Sequence, residues 1–238
     1  ETGNGVGSPS VAIGVDDLGL ISYNRGSGSR DLMAAHCSNT ACTSSTLSVL
    51  DSSMLAYNSS LTIGGDGLGL ISYCDATNDN VKIAHCTDPI CTNASTITLA
   101  PASIFGSPIS ITTGADGFGL ISYSSDPLGD LRVAHCVDAA CSSATINIIK
   151  ESGSAGSAST SIAIDPIGFG LVAYADLTNP GLSVARCNDA DCTIAVSTNV
   201  DPVGLLGSNR SIAIGLDGRA WISYAGGGLR VVHLPYGF

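Results

Sequence analysis

The sequence predicts an all-β chain folded as a five-bladed β-propeller with blades of about fifty residues. Three observations carry that prediction. The phrase Gly-Leu-Ile-Ser-Tyr ends at Tyr23, Tyr73 and Tyr123, and variants of it end at Tyr174 and Tyr224. Successive tyrosines therefore lie 50, 50, 51 and 50 positions apart. Self-similarity at that period means an array of supersecondary units that bury their faces by stacking. Each copy also reads as four short strands separated by turn signals, the content of a propeller blade. Finally, the fifth copy runs only as far as Leu229-Arg230-Val231-Val232-His233 and the five residues after it. It is expected to lack its fourth strand.

The third copy shows the strands in order. Ser110-Ile111-Thr112 is the first, followed by the tight-turn signal Asp116-Gly117, where positive φ costs little. Gly119 to Tyr123 is the second strand and Leu131 to His135 the third. The cysteine turn Cys136 to Cys141 leads into the fourth, Ala144 to Ile148, with period-two alternation. First strands such as Val11-Ala12-Ile13-Gly14 and Ser211-Ile212-Ala213-Ile214-Gly215 are rich in small residues, which suits the crowded innermost position. No helical period appears. The rival architecture, a β-solenoid, usually has a shorter repeat. The chain reads as a single domain over 1–238, with blades at about 8–57, 58–107, 108–157, 158–207 and 208–238. Glu1 to Gly7 matches only the loop that precedes a first strand.

Composition narrows the function classes. Only 12% of residues are charged, about half the usual globular share. The net charge is −11 with nine Lys and Arg. No basic patch exists to neutralise phosphates or an anionic bilayer, so neither nucleic acid nor a membrane surface is expected as a partner. No stretch reaches the roughly 18 apolar residues that a spanning helix needs, so no membrane insertion is expected. The start, Glu1-Thr2-Gly3, reads as a mature N-terminus or a cloning scar.

Eight of the nine cysteines form four Cys-x4-Cys pairs: Cys37/Cys42, Cys86/Cys91, Cys136/Cys141 and Cys187/Cys192. Each pair is expected to be a disulfide that clamps the turn between the third and fourth strands, and four of them point to an extracellular or cell-surface location. Zinc is the rival reading, because His36, His85 and His135 each precede a pair. It fails in the fourth copy, which has Arg186 there, and in the fifth, where His233 has no cysteines. Cys74 stands outside the pairs and is expected to be a buried thiol, with an intermolecular link as the alternative. Sequons at Asn58, Asn93 and Asn209 are possible glycosylation sites.

The segments Asp66-Gly67-Leu68-Gly69-Leu70-Ile71-Ser72-Tyr73 and Val81-Lys82-Ile83-Ala84-His85-Cys86 carry a family likeness. They resemble the Asp-box and sialidase-like repeats of secreted bacterial β-propellers, over all five copies. The resemblance implies a fold and carries no activity of its own. An Asp-box places Ser, Asp, Gly and Trp at set spacings. Only Asp217-Gly218…Trp221 approaches this, with the Gly one place early.

Candidate site residues read mostly as structure. The histidines lie on apolar blade faces, and no acid or base partner is apparent for them in the register of the repeat, so core hydrogen bonding is expected. Asn39, Asp88, Asp138 and Asp189, two places after the first Cys of each pair, are expected to close Asx-turns; calcium would need six to eight oxygens. The tyrosines of the repeat and Trp221 are expected in the core. Glu1 and Glu151 are the only glutamates, no Gly-x-Ser-x-Gly elbow occurs, and no arginine recurs on the innermost strand of three successive blades. A sialidase-like hydrolase is therefore the least favoured reading. The expectation is no enzyme, no cofactor and no metal. It is instead an extracellular structural or adhesive module, self-associating through the edge of the incomplete blade, with glycan binding in the manner of a lectin as the alternative.

Overall fold

The computed structural model describes residues 5–26, 30–52, 55–101, 108–125, 129–151, 159–176, 178–202 and 209–235. They form five antiparallel sheets, one per repeat. The first holds β1 (Val6–Ile13), β2 (Gly19–Arg25), β3 (Asp31–Cys37) and β4 (Ser45–Asp51). The second holds β5 (Ala56–Ile63), β6 (Gly69–Asp75), β7 (Asn80–Cys86) and β8 (Ala94–Pro101). The third holds β9 (Ser110–Thr113), β10 (Gly119–Ser125), β11 (Asp130–Cys136) and β12 (Ala144–Lys150). The fourth holds β13 (Ser161–Ile164), β14 (Gly170–Asp176), β15 (Gly181–Cys187) and β16 (Ala195–Asp201). The fifth has three strands, β17 (Arg210–Ile214), β18 (Ala220–Ala225) and β19 (Leu229–His233). Strands pair in sequence order within each sheet. The chain is a five-bladed propeller whose last blade has three strands.

The first strands are innermost: β1, β5, β9, β13 and β17 contact one another in succession. β1 begins at Val6, inside the segment expected to be loop. The extension rests on a bulge between Gly7 and Ser10, where Ser8 takes φ 48°, and β5 repeats it at Asn58 with φ 51°. An extra residue in the left-handed region lets the strand bend and keep pairing past the axis. Glu1 to Asn4 and Tyr236 to Phe238 lie outside the described residues.

The repeated phrase packs blade on blade. Leu20, Leu70, Leu120 and Leu171 are all buried. A Cβ built on Gly69 would lie 2.7 Å from Leu20 Cδ2, one on Gly119 2.6 Å from Leu70 Cδ2, and one on Gly170 2.8 Å from Leu120 Cδ2. The leucine of each copy is a knob, and the glycine before the next copy's leucine is its hole. The hole has a second wall in the disulfide of its own blade. The same Cβ atoms would meet Cys86, Cys136 and Cys187 Sγ at 2.7, 2.9 and 3.0 Å. Each fully buried leucine contributes roughly 1.5–3 kcal/mol. Blade five has Ala220 at the hole position and no cysteine, and Ala220 is buried in the cluster that holds Leu171 of the preceding blade.

The tyrosines sit beside these knobs, and Tyr73, Tyr123 and Tyr174 are fully buried. Two tyrosines of the repeat tie to the outermost strand of the preceding blade. Tyr73 Oη donates to Asp51 Oδ2 at 2.8 Å, and Lys82 Nζ meets the same oxygen at 2.8 Å. Tyr224 donates to Asp201, which also accepts from Arg230 Nη1 at 2.9 Å. Burial, with the Asp51 hydrogen bond and charge behind it, pushes the Tyr73 phenol far above its ordinary pKa.

The stacking stops after blade five, and the third strands show it. Val81, Leu131 and Leu182, and Ile83, Val133 and Val184 two places on, are all buried against the next blade. Their equivalents Leu229 and Val231 are 84% and 56% exposed, and Trp221, at the knob position, is 46% exposed. The expectation that Trp221 belongs to the core is corrected. No glycine hole faces it, so it stacks instead on His233, with ring centroids 4.0 Å apart.

Gly119→Ala is expected to lower stability by about 1–3 kcal/mol through overpacking. Gly19→Ala, whose Cβ would meet only Cys37 atoms, nearest Sγ at 3.1 Å, is expected to be neutral or slightly stabilising. Urea denaturation of the two variants measures the difference; equal effects would contradict the knob-and-hole account.

Candidate functional site at the axial mouth

The innermost strands converge on one polar cavity of about 370 Å³. Ser10, Ser60, Ser110, Ser161 and Ser211 line it, one from each blade, at intervals of 50, 50, 51 and 50 residues. An innermost strand has no backbone neighbour on its axial side, so its outward N–H groups need other acceptors. The serines supply them. Leu61 N donates to Ser10 Oγ at 3.0 Å, and Ile111, Ile162 and Ile212 N donate to Ser60, Ser110 and Ser161 Oγ, each at 3.2 Å. Among the described residues the fifth step, from Val11 N to Ser211 Oγ, is absent. The ladder therefore opens between blade five and blade one, where β17 and β1 lack the extensive contact that joins the other neighbouring first strands.

In these bonds each serine oxygen accepts. None of the five hydroxyls donates to a protein acceptor among the described residues, which leaves their O–H groups for whatever occupies the cavity. Arg210, first residue of β17, joins them. Its Nη1 donates to Ser159 O at 3.3 Å and Ser159 Oγ at 2.9 Å, while its buried Nε has no partner. Burial lowers the pKa of this guanidinium from its ordinary value. Sequence reasoning missed both features. The serine spacing was a legible signal, since it matches the tyrosine spacing, but a lone Arg before one of five serines marks nothing without the cavity.

A second constellation lies at the turn between the first two strands. His36, His85 and His135 Nε2 lie 2.9, 2.7 and 2.9 Å from Oδ2 of Asp16, Asp66 and Asp116, and His233 lies 3.3 Å from Asp217. The expectation that the histidines lack an acid in register is corrected. The partner is the aspartate of the same blade's turn, some twenty residues back, and antiparallel pairing closes that distance. The other carboxylate oxygen caps the turn, as in Leu68 N to Asp66 Oδ1 at 3.0 Å. Blade four has Arg186 on Asp165 at 2.8 Å. An arginine replaces the histidine without loss of the contact, and arginine does not exchange its proton near neutral pH. The set therefore reads as a repeated clamp. Among the described residues only His135 has a second carboxylate, Asp191 of the next blade's cysteine turn, at 2.5 Å from Nδ1.

The four expected disulfides are present: Cys37–Cys42, Cys86–Cys91, Cys136–Cys141 and Cys187–Cys192, with Cα atoms 4.7–4.9 Å apart. The second cysteine of each is left-handed, with φ 48° at Cys42, 54° at Cys91 and Cys141, and 52° at Cys192. That conformation favours glycine, and the cross-link helps to hold it. Three of the four also reach beyond their own turn. Cys91, Cys141 and Cys192 are fully buried, packed in the clusters that hold Leu20, Leu70 and Leu120 of the preceding blade. Cys42 is exposed, because no knob leucine of a preceding blade reaches the first sheet.

Asn39, Asp88, Asp138 and Asp189 accept from the backbone N–H four residues on, closing the turns. Hydrogen bonds from the Ser142 and Thr193 hydroxyls hold the Asp138 and Asp189 carboxyls below the usual range. Cys74 is buried in the core between blades two and three, and burial pushes its thiol up to about 12. Of the sequons, Asn93 and Asn209 are exposed, whereas the Asn58 amide nitrogen is buried at the β5 bulge. Asn209 stands at the rim of the axial cavity.

No protein-family model matches the chain, and comparison with curated proteins finds no significant match. Solved structures do match. A protein of unknown function from Dyadobacter fermentans is similar over 97% of this chain and 79% of its own, with TM-score 0.72 and 12% identity. An α-L-arabinofuranosidase from Lactobacillus brevis matches over 92% and 82%, with TM-score 0.56 and 8% identity. A Hadza microbial sialidase matches over 92% and 52%, with TM-score 0.61 and 11% identity. At these identities the likeness is one of fold, and it is the fold-level resemblance expected from the repeats. It also overturns the expectation that the chain is no enzyme, because its structural neighbours include glycoside hydrolases. That expectation rests on acids and arginines in the register of the repeat. A propeller assembles its chemistry from loops of different blades, which no repeat register aligns.

Proposed function

We propose that this chain is a carbohydrate-directed propeller that receives a sugar at its axial mouth. The observation that carries the reading is the ring of five serine hydroxyls with their O–H groups unspent on protein acceptors. Such donors suit the many acceptor oxygens of a sugar, and the cavity lies near the lower end of the roughly 300–1,000 Å³ usual for small-ligand sites. The names of the sialidase and the arabinofuranosidase among its neighbours support the same class of ligand. Four disulfides support an extracellular setting. The test is a glycan array together with a panel of chromogenic glycosides, using wild type and Ser211→Leu. Ser211 holds no backbone N–H, so filling the mouth there is expected to leave the melting temperature within about 2 °C. It is expected to weaken glycan binding, or turnover where the panel shows it, at least ten-fold. An array and panel without a single hit, or a Ser211→Leu protein that binds as well as wild type, would contradict the reading.

A second reading, self-association, has its own support in the exposed Trp221, Leu229 and Val231 of blade five. These occupy positions that each other blade buries against a neighbour. The proposed occupant is the same face or edge of a second copy. Light scattering across a concentration series is expected to show a dimer or larger species that Val231→Lys reduces to monomer. A monomer throughout contradicts it.

A further inference from the structure

Six of the nine basic residues of this acidic chain are matched to carboxylates. Arg25, Lys82, Arg132, Lys150, Arg186 and Arg230 each lie within 4.0 Å of an aspartate. Arg30 lies over the Tyr57 ring, and Arg219 has a partner of its own. Arg210 differs. It is partly buried, its hydrogen bonds go to a neutral hydroxyl and a neutral carbonyl, and no carboxylate approaches it among the described residues. Withdrawing a guanidinium from water without a counter-charge is costly. In a chain with 20 Asp and Glu against nine Lys and Arg, that isolation is a feature of the site.

The rest of the mouth has the same polarity. The five serine oxygens either accept backbone N–H groups or stand free, and their O–H groups remain as donors. No aspartate or glutamate among the described residues lines the cavity. A cation set among hydroxyl donors calls for a ligand group that is anionic and rich in acceptors. A planar carboxylate fits, since guanidinium N–H groups meet its oxygens in fork geometry. Arg210 lines the cavity, and only its Nη1 is held by protein oxygens, those of Ser159.

We propose that Arg210 and the surrounding serines form a carboxylate site, so that the ligand of the axial mouth is an acidic one. Where the ligand is a sugar, it is a uronic-acid type residue. This rests on the axial mouth being the sugar site, and the experiment separates the two claims. Affinities for glucuronate, glucose and acetate are measured by calorimetry on wild type, Arg210→Gln and Arg210→Lys, each checked for its melting temperature. A charged hydrogen bond makes the expected preference for glucuronate over glucose about ten- to a hundred-fold. Arg210→Gln is expected to abolish that preference while glucose binding survives, and Arg210→Lys to retain part of it. Acetate is expected to compete with glucuronate. Equal affinities for glucose and glucuronate in wild type, or an undiminished preference in Arg210→Gln, overturn the carboxylate site and leave the sugar site standing. Acetate binding that depends on Arg210, with neither sugar bound, overturns the sugar site and keeps the carboxylate site. A protein that binds none of the three overturns both.

Discussion

One contact sets the rest of this structure: the leucine of each blade entering the hole left by the next blade's glycine. The hole exists because that glycine has no Cβ and because a disulfide sulfur forms its other wall. A sheet of four short strands has two apolar faces and buries neither alone. Interlocking one side chain per blade at 2.6–2.8 Å from a missing Cβ fixes both the separation and the register of neighbours. The Cys-x4-Cys turns of blades two to four are thereby part of the blade interface as well as local clamps.

The same contact explains where the fold changes character. Blade five has Ala220 for glycine, no disulfide and Trp221 for leucine. All three changes occur in the blade whose forward face, Trp221, Leu229 and Val231, is exposed. Across the same gap, Cys42 of blade one is exposed where Cys91, Cys141 and Cys192 are buried. The serine ladder ends at this place too, with Ile212 the last N–H to find a serine oxygen. Packing on the blade faces and hydrogen bonding at the axis therefore fail together, as expected if the first positions the second.

The sequence made blade number, strand order, the disulfides, the Asx-turns and the short fifth blade legible, because each repeats at a fixed interval or departs visibly from it. It made the mouth illegible for a physical reason. The serines of the mouth look like any strand residue until five of them meet at an axis. Arg210 becomes distinctive only when every other cation is seen beside its partner. The His–Asp clamps were missed because the partners lie some twenty residues apart and meet only through antiparallel pairing of the second and third strands. Trp221 was misplaced because its position in the repeat is a core position, and only the absence of a facing glycine removes it from the core.

Hydrogen exchange at the innermost strands tests the central claim most directly. If knob-and-hole packing positions the axial ladder, the amides of Leu61, Ile111, Ile162 and Ile212 exchange slowly and at comparable rates, each held by a serine oxygen of the preceding blade. The Val11 amide, which occupies the same register without such a partner, then exchanges at least about ten-fold faster, the equivalent of a hydrogen bond of roughly 1.4 kcal/mol. Protection of Val11 equal to that of the other four would contradict the account, because it would mean that the axis is closed without the packing that is said to close it.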